Sequence, residues 1–235
     1  MRSSLKPVKS ESLREKVENS LRQAIVSGQL EAGSKLVERE LCEMLNVSRP
    51  SLREALRTLE AEKLIVIVQN RGPEVASITF DEARDLFALR RVLESFCAYE
   101  FTQRASDEQV KKLAKAVKRL REAGDKNARA GVIEAKAAFY GILLEGAGNE
   151  LVKEIVDGLL ARISLLRAKS LMLPDRLPRS LDEIDALMAC IQARDASGAR
   201  KLSYEHVLNA ENAALGVLQQ QADSTIQPNA QGVQP

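Results

Sequence analysis

The chain has 235 residues, of which 45% are hydrophobic and 29% charged, and its formal net charge is only +2. This composition is ordinary for a globular protein of two modest domains, and the small charge argues against a protein that coats nucleic acid without selectivity. No apolar run approaches the roughly 18 residues of a membrane span, and the first residues lack the apolar segment of a signal peptide. We therefore expect a cytoplasmic protein with no membrane partner, in which Cys42, Cys97 and Cys190 are free thiols.

The first predicted helix begins after Ser12, which can form a capping box with Glu15. Apolar residues then recur on one helical face until Gly28, namely Leu13, Val17, Leu21, Ala24 and Ile25. Residues 1–9 precede this signal and are expected to form a flexible N-terminus.

Two short amphipathic patterns follow, on either side of a break at Asn46-Val47. Their apolar faces are Val37, Leu41, Met44 and Leu45, and then Leu52, Ala55, Leu56 and Leu59. Ser48 can cap the second helix, from which Arg49, Arg53 and Arg57 project off the apolar face. This pattern is typical of a helix-turn-helix whose second helix enters a DNA major groove, although a helical hairpin with a solvated charged face has the same spacing.

A β-hairpin is predicted directly after these helices. Residues 64–68 and 75–78 are rich in β-branched side chains, and Asn70-Arg71-Gly72-Pro73 between them has the composition of a turn. Such a hairpin is a wing, and at its tip Arg71 beside Gly72 lets a cation and bare backbone approach a minor groove.

Residues 10–78 resemble the winged helix of GntR-family bacterial transcription regulators, and the run LNVSRPSLREALRTLE is the most specific match. The resemblance implies a DNA-binding domain of three helices and a hairpin. Its implied DNA contacts are Arg39, Ser48, Arg49, Ser51, Arg53, Arg71 and Gly72. Two departures stand out: Pro50-Ser51 replaces the usual Thr-Pro, and Lys63 replaces a glycine.

From residue 79 onward every pattern is helical. Thr79 and Glu82 form a capping box, and helices are predicted over residues 80–104, 107–123, 127–146, 149–172, 180–194 and 196–220. Helices in this number without strands predict an all-α antiparallel bundle over residues 79–220. Residues 221–235 are rich in Gln, Ala and Pro and are expected to be a disordered tail.

This second domain resembles the helical effector domain of the FadR subfamily, called FCD. The matching runs are DLFALRRVLESFCAYEF, GAGNELV and SLDEIDALMACIQARDASGARKLSYEHV. Many such domains hold a divalent metal through one Asp and three His. Here Lys136, Tyr140 and Ile184 stand at three of those positions and only His206 is kept, so we expect no metal and no other cofactor.

Several polar residues lie on otherwise apolar faces of this domain, and we predict that they form an effector site for a small anion, most simply a carboxylate. They are Arg90, Lys136, Tyr140, Arg162, His206 and Asn209. In this hypothesis Lys136 supplies the positive charge that a metal supplies elsewhere. Internal ion pairs, such as Arg90 with Glu94, are the alternative.

The sequence thus predicts a homodimeric, sequence-specific DNA-binding regulator, a repressor, that binds a palindromic operator and responds to an organic-acid effector. Two alternatives stay open: a helical domain that only dimerises, or one that senses an acyl-CoA-type effector. An enzyme is disfavoured because the chain has one histidine, no phosphate loop and no nucleophile beside a base.

Overall fold

The structure, a computed structural model, describes residues 13–126, 128–171 and 173–226. It divides into two compact units, of which the first ends at Ser77 and the second begins at Ile78. The first unit contains helices α1 (Leu13–Ser27), α2 (Glu38–Leu45) and α3 (Arg49–Ala61), followed by strands β1 (Ile65–Val68) and β2 (Gly72–Val75). The predicted winged helix-turn-helix is thereby confirmed, whereas Ser12 and residues 1–9 lie outside the described residues.

The core of the first unit lies between α1 and α3. Its buried apolar side chains are Val17, Leu21, Ile25, Leu36, Leu41, Leu52, Ala55, Leu56, Leu59, Leu64, Ile65 and Val75. Helix α2 contributes less to this core than its pattern predicts, because Met44 is 79% exposed and Val37 is 38% exposed. The helix has only eight residues and ends at Asn46 in a left-handed conformation, so that Leu41 is its one fully buried side chain.

The wing is an antiparallel pair in which Ile65 faces Val75 and Val68 faces Gly72. A bridge from Lys35 to Glu74 attaches the segment before α2 to the second strand. Two backbone hydrogen bonds, Leu36 N to Pro73 O at 2.8 Å and Val75 N to Ser34 O at 2.9 Å, hold this attachment. The base of the hairpin is therefore fixed to the core, while its tip projects.

The second unit is helical throughout its described part. Its helices are α4 (Phe80–Arg104), α5 (Asp107–Asp125), α6 (Arg129–Gly146), α7 (Glu150–Arg162), α8 (Ser164–Ser170), α9 (Arg176–Gln192) and α10 (Ala196–Ile226). The long helices α4 and α10 pack along each other, α5 packs on α6, and α9 packs on α5 and α10. This is the predicted helical bundle, and the capping box at Thr79 and Glu82 is present.

Three differences from the sequence prediction exceed a shift of two residues at a helix end. The single helix predicted over residues 149–172 is broken at Ile163, whose backbone leaves the helical conformation and whose side chain is fully buried. Helix α9 begins at Arg176 rather than at residue 180. Helix α10 continues to Ile226, so the first six residues of the predicted disordered tail are helical, and residues 227–235 lie outside the described residues.

Within residues 13–126, 128–171 and 173–226, no helix is both long enough and apolar enough to span a bilayer.

Lys63 occupies a backbone conformation that suits glycine. It follows the end of α3, where its φ is 61°, in the left-handed region. Helices commonly end on a glycine in this conformation, because a side chain there costs about 1 kcal/mol or more. This conformation explains why the resembling family has glycine at this position. In this chain Lys63 adopts the same conformation at the cost of backbone strain.

We expect Lys63→Gly to raise the free energy of unfolding by up to about 1 kcal/mol, because it relieves this strain. Urea unfolding followed by circular dichroism measures the change. Lys63→Ala is the matched control: it removes the charge but keeps Cβ, so it should bring no gain. An equal gain in both variants would show that the lysine charge, not the backbone conformation, is unfavourable.

Candidate functional site

The N-terminus of α3 is fixed by a side-chain cap. Ser48 lies in the extended conformation before the helix, and its Oγ accepts a hydrogen bond from Ser51 N at 3.4 Å. The two serine hydroxyls are 2.9 Å apart, and Pro50 occupies the first turn. Free backbone amides and serine hydroxyls therefore cluster at the exposed start of this helix, a suitable arrangement for contacting phosphate.

The arginines of α3 differ in how far they are engaged. Arg49 and Arg57 are exposed and make no ion pair with a described residue. Arg53 is held by Glu38, whose two carboxylate oxygens both accept hydrogen bonds from its Nε at 3.1 Å. Arg39 on α2 lies 4.0 Å from Glu43 with its side chain 70% exposed. Arg49 is thus the least constrained cation of the predicted recognition face.

The wing tip presents one cation beside bare backbone. The Arg71 side chain is 72% exposed and lies 3.4 Å from a carboxylate oxygen of Glu74. Gly72 has φ of 88°, and a Cβ placed on it would meet nothing within 4 Å. The glycine is therefore required by backbone conformation, and the space beside it is open to a ligand.

Charged and polar side chains from five helices meet in the second unit, and we call this group the cation cluster. It consists of Arg90 and Glu94 on α4, Lys136 and Tyr140 on α6, Arg167 on α8, Arg176, Ser180 and Glu183 on α9, and His206 and Asn209 on α10. Arg167 and Glu183 are half-buried and Asn209 is exposed, whereas the other members are buried. Three guanidinium groups and one amine face only two carboxylates. Because buried cations need anionic partners, the imbalance itself points to a missing anion.

One end of the cluster surrounds Tyr140. Arg90 is fully buried and donates from Nε to Glu94 at 2.7 Å, but its Nη1 has no hydrogen-bond partner among the described residues. Arg167 lies over the Tyr140 ring, 5.1 Å from its centre, and makes no ion pair with a described carboxylate. Burial, and next the Glu94 carboxylate, raise the pKa of Tyr140 to about 12, so the phenol stays protonated. Guanidinium hydrogens here lack acceptors.

The other end of the cluster is organised around Glu183. Its two oxygens accept hydrogen bonds from the Arg176 guanidinium at 3.1 Å each, from Asn209 at 2.9 Å and from His206 Nδ1 at 2.5 Å. Burial opposes ionisation of Glu183, but the hydrogen bond from His206 and the charge of Arg176 prevail and lower its pKa to about 2. Burial lowers the pKa of His206 to about 4, so the ring is neutral at pH 7.

Lys136 lies at the centre of the cluster and is only 6% exposed. Its Nζ donates to Ser180 Oγ at 2.8 Å and makes no ion pair with a described carboxylate. Burial, followed by the charges of Arg167, Arg176 and Arg90, lowers its pKa well below the usual value of 10.5. The cluster therefore carries positive charge on three arginines besides the amine of Lys136, whose protonation those arginines disfavour.

The structure brings together five of the six residues predicted for an effector site. Arg162 is the exception: it ends α7 half-exposed and pairs with Glu82 at 3.5 Å, outside the cluster. The break at Ile163 is the reason, because it separates Arg162 from α8, which carries Arg167. The cluster residues that sequence reasoning missed are Glu94 as a member, Arg167, Arg176, Ser180 and Glu183.

The four positions that carry metal ligands in the resembling domain do not fit a metal ion. Ile184 is 1% exposed within the apolar core, Lys136 is bonded to Ser180, and His206 is bonded to Glu183. Among the described residues, no group of three or more His, Cys, Asp or Glu side chains could hold a metal. A single imidazole beside an aliphatic side chain does not make such a site.

A recess of about 350 Å³ opens at the Glu183 end of the cluster. Arg176, Glu183 and Asn209 of the cluster line it, together with Arg179 and Asn212. This volume is in the range of small-molecule sites. The recess therefore adjoins the Glu183–Arg176 ion pair at one end of the cluster.

Comparison with known proteins agrees with both units. The family model for bacterial regulatory proteins of the gntR family matches residues 13–75, and the FCD domain model matches residues 85–209. The chain is 30% identical over 241 residues to the HTH-type transcriptional repressor NanR of Citrobacter rodentium, covering 92% of this chain and 90% of that protein. It is 34% identical over 101 residues to the gluconate operon transcriptional repressor of Bacillus licheniformis, covering 43% and 41%.

Two solved structures share the fold. Escherichia coli McbR/YncC superposes with a TM-score of 0.77 at 20% identity, covering 90% of this chain and 99% of that one. A GntR transcriptional regulator from Rhodococcus sp. RHA1, described as putative, superposes with a TM-score of 0.76 at 24% identity, covering 86% and 97%.

The Glu183–His206 pair makes the stability of the second unit depend on pH. The pKa of His206 in the folded protein, about 4, is below its usual 6.5, so the folded state binds this proton less readily than the unfolded chain. Its contribution is complete above pH 6.5 and is lost as the pH falls towards 4. The free energy of unfolding of the unaltered protein should therefore fall by an amount on the order of 3 kcal/mol between pH 6.5 and pH 4. We expect His206→Gln to abolish this fall, and urea unfolding at a series of pH values measures it.

The Glu183 contribution lies in a separate pH window. Its folded pKa of about 2 is below 4.5, so its contribution is lost only below pH 4.5, and His206→Gln should reduce it without abolishing it, because Arg176 still pairs with Glu183. If the free energy of unfolding of His206→Gln falls between pH 6.5 and pH 4 as steeply as that of the unaltered protein, His206 is not the group responsible.

Proposed function

Because this chain belongs to the gntR family of bacterial regulatory proteins and carries an FCD domain, we propose that it is a DNA-binding transcriptional repressor controlled by a small anionic effector. The relatives NanR and the gluconate operon regulator are named as transcriptional repressors, which supports repression over activation. The observation that carries the proposal is the pairing of an exposed arginine face in the first unit with unpartnered buried cations in the second.

The DNA-reading surface is the exposed face of α3 together with the wing tip. Arg49, at the capped start of the helix, can take a guanine edge through two hydrogen bonds. Ser48, Ser51 and the first backbone amides of the helix suit phosphate oxygens. Arg39, Arg53, Arg71 and Gly72 complete the surface, and Arg53 is held for this role by Glu38.

Operator recognition requires two copies of the chain. One recognition helix reads too few base pairs for specificity in a genome, so the operator is a palindrome bound by a homodimer. In a two-fold dimer the distance between the two α3 helices sets the half-site spacing. An effector that changes this distance changes the affinity for DNA, provided that it binds one arrangement more tightly than the other.

The effector is a compact anion, most simply a carboxylate. Arg90 has a buried, unpartnered Nη1, and Arg167 has no described ion-pair partner, so both can bind an anionic oxygen without first breaking a salt bridge. The polar character of the cluster favours such an anion over an acyl chain. A bundle that only dimerises would have no use for the unpartnered Nη1 of Arg90 or for an Arg167 without a described ion pair, since such groups are costly to bury.

We expect Arg49→Ala to weaken binding to the operator by about 1–3 kcal/mol and to relax the preference for one base pair in each half-site. The operator is first obtained by selecting duplexes from a random pool with the unaltered protein. Fluorescence anisotropy with this duplex and with a scrambled duplex, at several salt concentrations, separates lost specificity from lost charge.

Arg119→Ala is the matched control for the DNA measurement. Arg119 is also exposed and makes no described ion pair, but it lies on α5 in the second unit. Its removal should leave both affinity and specificity unchanged. Equal effects of the two substitutions, or no effect of Arg49→Ala, would exclude α3 as the recognition helix.

We expect Arg167→Gln to lower the affinity for the effector about ten- to a hundredfold, because it removes a charge-assisted hydrogen bond of about 1.5–3 kcal/mol. The fold should survive, since the substitution removes an unpaired buried cation. A panel of small organic acids is screened first by the rise in Tm of the unaltered protein, and isothermal titration with the best acid then compares the variants.

Arg162→Gln controls for the general loss of one arginine near α8. Because Arg162 pairs with Glu82 outside the cluster, its replacement should leave effector affinity within about twofold. If no acid raises the Tm of the unaltered protein, the effector hypothesis is wrong and the ligand-free dimerising domain is favoured.

A further inference from the structure

We propose that the Lys136 amine is a nucleophile that captures the effector as a reversible imine, and that the effector is therefore a 2-oxo acid. This inference rests on the proposed function, because it names the chemical class of the anion and the atom that binds it. It follows from the position of one buried amine among three guanidinium groups.

The surroundings of Lys136 favour a neutral amine. Its side chain is 6% exposed, and the Ser180 hydroxyl, itself fully buried, lies 2.8 Å from Nζ. No described carboxylate forms an ion pair with Nζ, and Glu183, the one acid that favours its charged form, is already occupied by Arg176, His206 and Asn209. An ammonium group here would be buried among like charges, which shifts the lysine towards its deprotonated form.

A buried lysine beside other cations is the form in which lysine acts as a nucleophile towards carbonyl compounds, because the lone pair on Nζ is free at neutral pH. Exposed lysines lack this property, since with a pKa of about 10.4 fewer than about one in a thousand is neutral at pH 7. A lysine whose only task was to attract an anion would be better placed as a charged group. The structure instead buries Lys136 without a described carboxylate partner and leaves the attraction of an anion to the arginines.

The cluster offers two recognition elements side by side. The guanidinium groups of Arg90 and Arg167 suit a carboxylate, and the neutral amine of Lys136 suits an electrophilic carbonyl carbon. A 2-oxo acid carries both groups on adjacent carbon atoms. Neither a simple carboxylic acid nor a hydroxy acid uses both elements, so the cluster discriminates against them.

The chemistry requires no oxidant or reductant. The Nζ lone pair attacks the C2 carbonyl carbon, the carbonyl π electrons move to its oxygen, and a proton passes from nitrogen to that oxygen to give a carbinolamine. Loss of this oxygen as water, with the remaining Nζ proton, leaves a C=N bond, and addition of water reverses the step. Ser180 Oγ, at hydrogen-bond distance from Nζ, can relay these protons.

Reduction of the imine with sodium cyanoborohydride, which makes the adduct permanent, tests the inference on the full chain. The protein is incubated near pH 7 with pyruvate, glyoxylate or 2-oxoglutarate and sodium cyanoborohydride, and adducts are located by mass spectrometry of peptides. Apart from the α-amine at the N-terminus, which reacts in any protein under these conditions, we expect one reduced adduct per chain, at Lys136, formed at least about tenfold faster than at an exposed lysine such as Lys118, because a buried amine among cations is less readily protonated. Lactate, which lacks the carbonyl, should give none.

Two variants test the roles of the Lys136 amine and of Arg167 separately. Lys136→Met should remove the adduct while circular dichroism shows an intact helical fold, since it replaces a buried amine with an apolar side chain of similar length. Arg167→Gln keeps the amine but removes a carboxylate partner and a neighbouring cation, so the adduct at Lys136 should form more slowly. An unchanged rate in Arg167→Gln would overturn the inference.

The outcomes separate this inference from the proposed function. If an oxo acid raises the Tm but no adduct forms, or if adducts are spread over exposed lysines, the covalent step is wrong and the non-covalent anion site stands. If no acid of either kind binds, the effector function and the inference fail together.

Discussion

The second unit depends on one electrostatic constraint: two buried arginines, Arg90 and Arg176, and the half-buried Arg167 share one cluster with only two carboxylates to balance them. Glu94 is committed to Arg90 and Glu183 to Arg176, which leaves Arg167 without a described ion-pair partner. Burial makes this expensive, because the low dielectric that strengthens an ion pair also penalises an unpaired charge. Burial and the neighbouring positive charges lower the pKa of His206 and of Lys136, so both groups hold a proton less readily than they would in water. A bound anion would relieve the same imbalance.

The two units use the same residue type in opposite ways. In the first unit the arginines are exposed, and the partners of Arg53, Arg39 and Arg71 lie on their own surface, where water and salt weaken each pair. These pairs can exchange for phosphate or base contacts at small cost. In the second unit the guanidinium groups are buried, so each contact is strong and an incoming ligand must match them closely. The exposed arginines thus suit the proposed reversible binding of DNA, and the less exposed ones suit the proposed selective binding of a ligand.

Local signals in the sequence predicted the elements well, and long-range contacts explain what it missed. The caps at Ser48 and Thr79 and the extent of α4 follow from residues a few positions apart, and all are present. Arg167 and Arg176 were not predicted, because neither lies on a periodic apolar face and their partners come from other helices. The break at Ile163 has no proline or glycine to announce it. The charge state of Lys136 depends on three arginines from other helices, which no spacing pattern reveals.

Arg90 places the cluster on the helix that follows the boundary between the two units. Arg90 lies on α4, whose first residue, Phe80, comes shortly after the boundary at Ser77 and Ile78. A helix rises about 1.5 Å per residue, so Arg90 lies about 15 Å along a continuous helix from Phe80. Arg90 and Glu94 are joined on this helix by their own ion pair, and Phe87 packs against the Arg90 guanidinium. In the proposed function an anion held by Arg90 is therefore bound to α4 itself, so α4 is the first element that ligand binding in the cluster would displace.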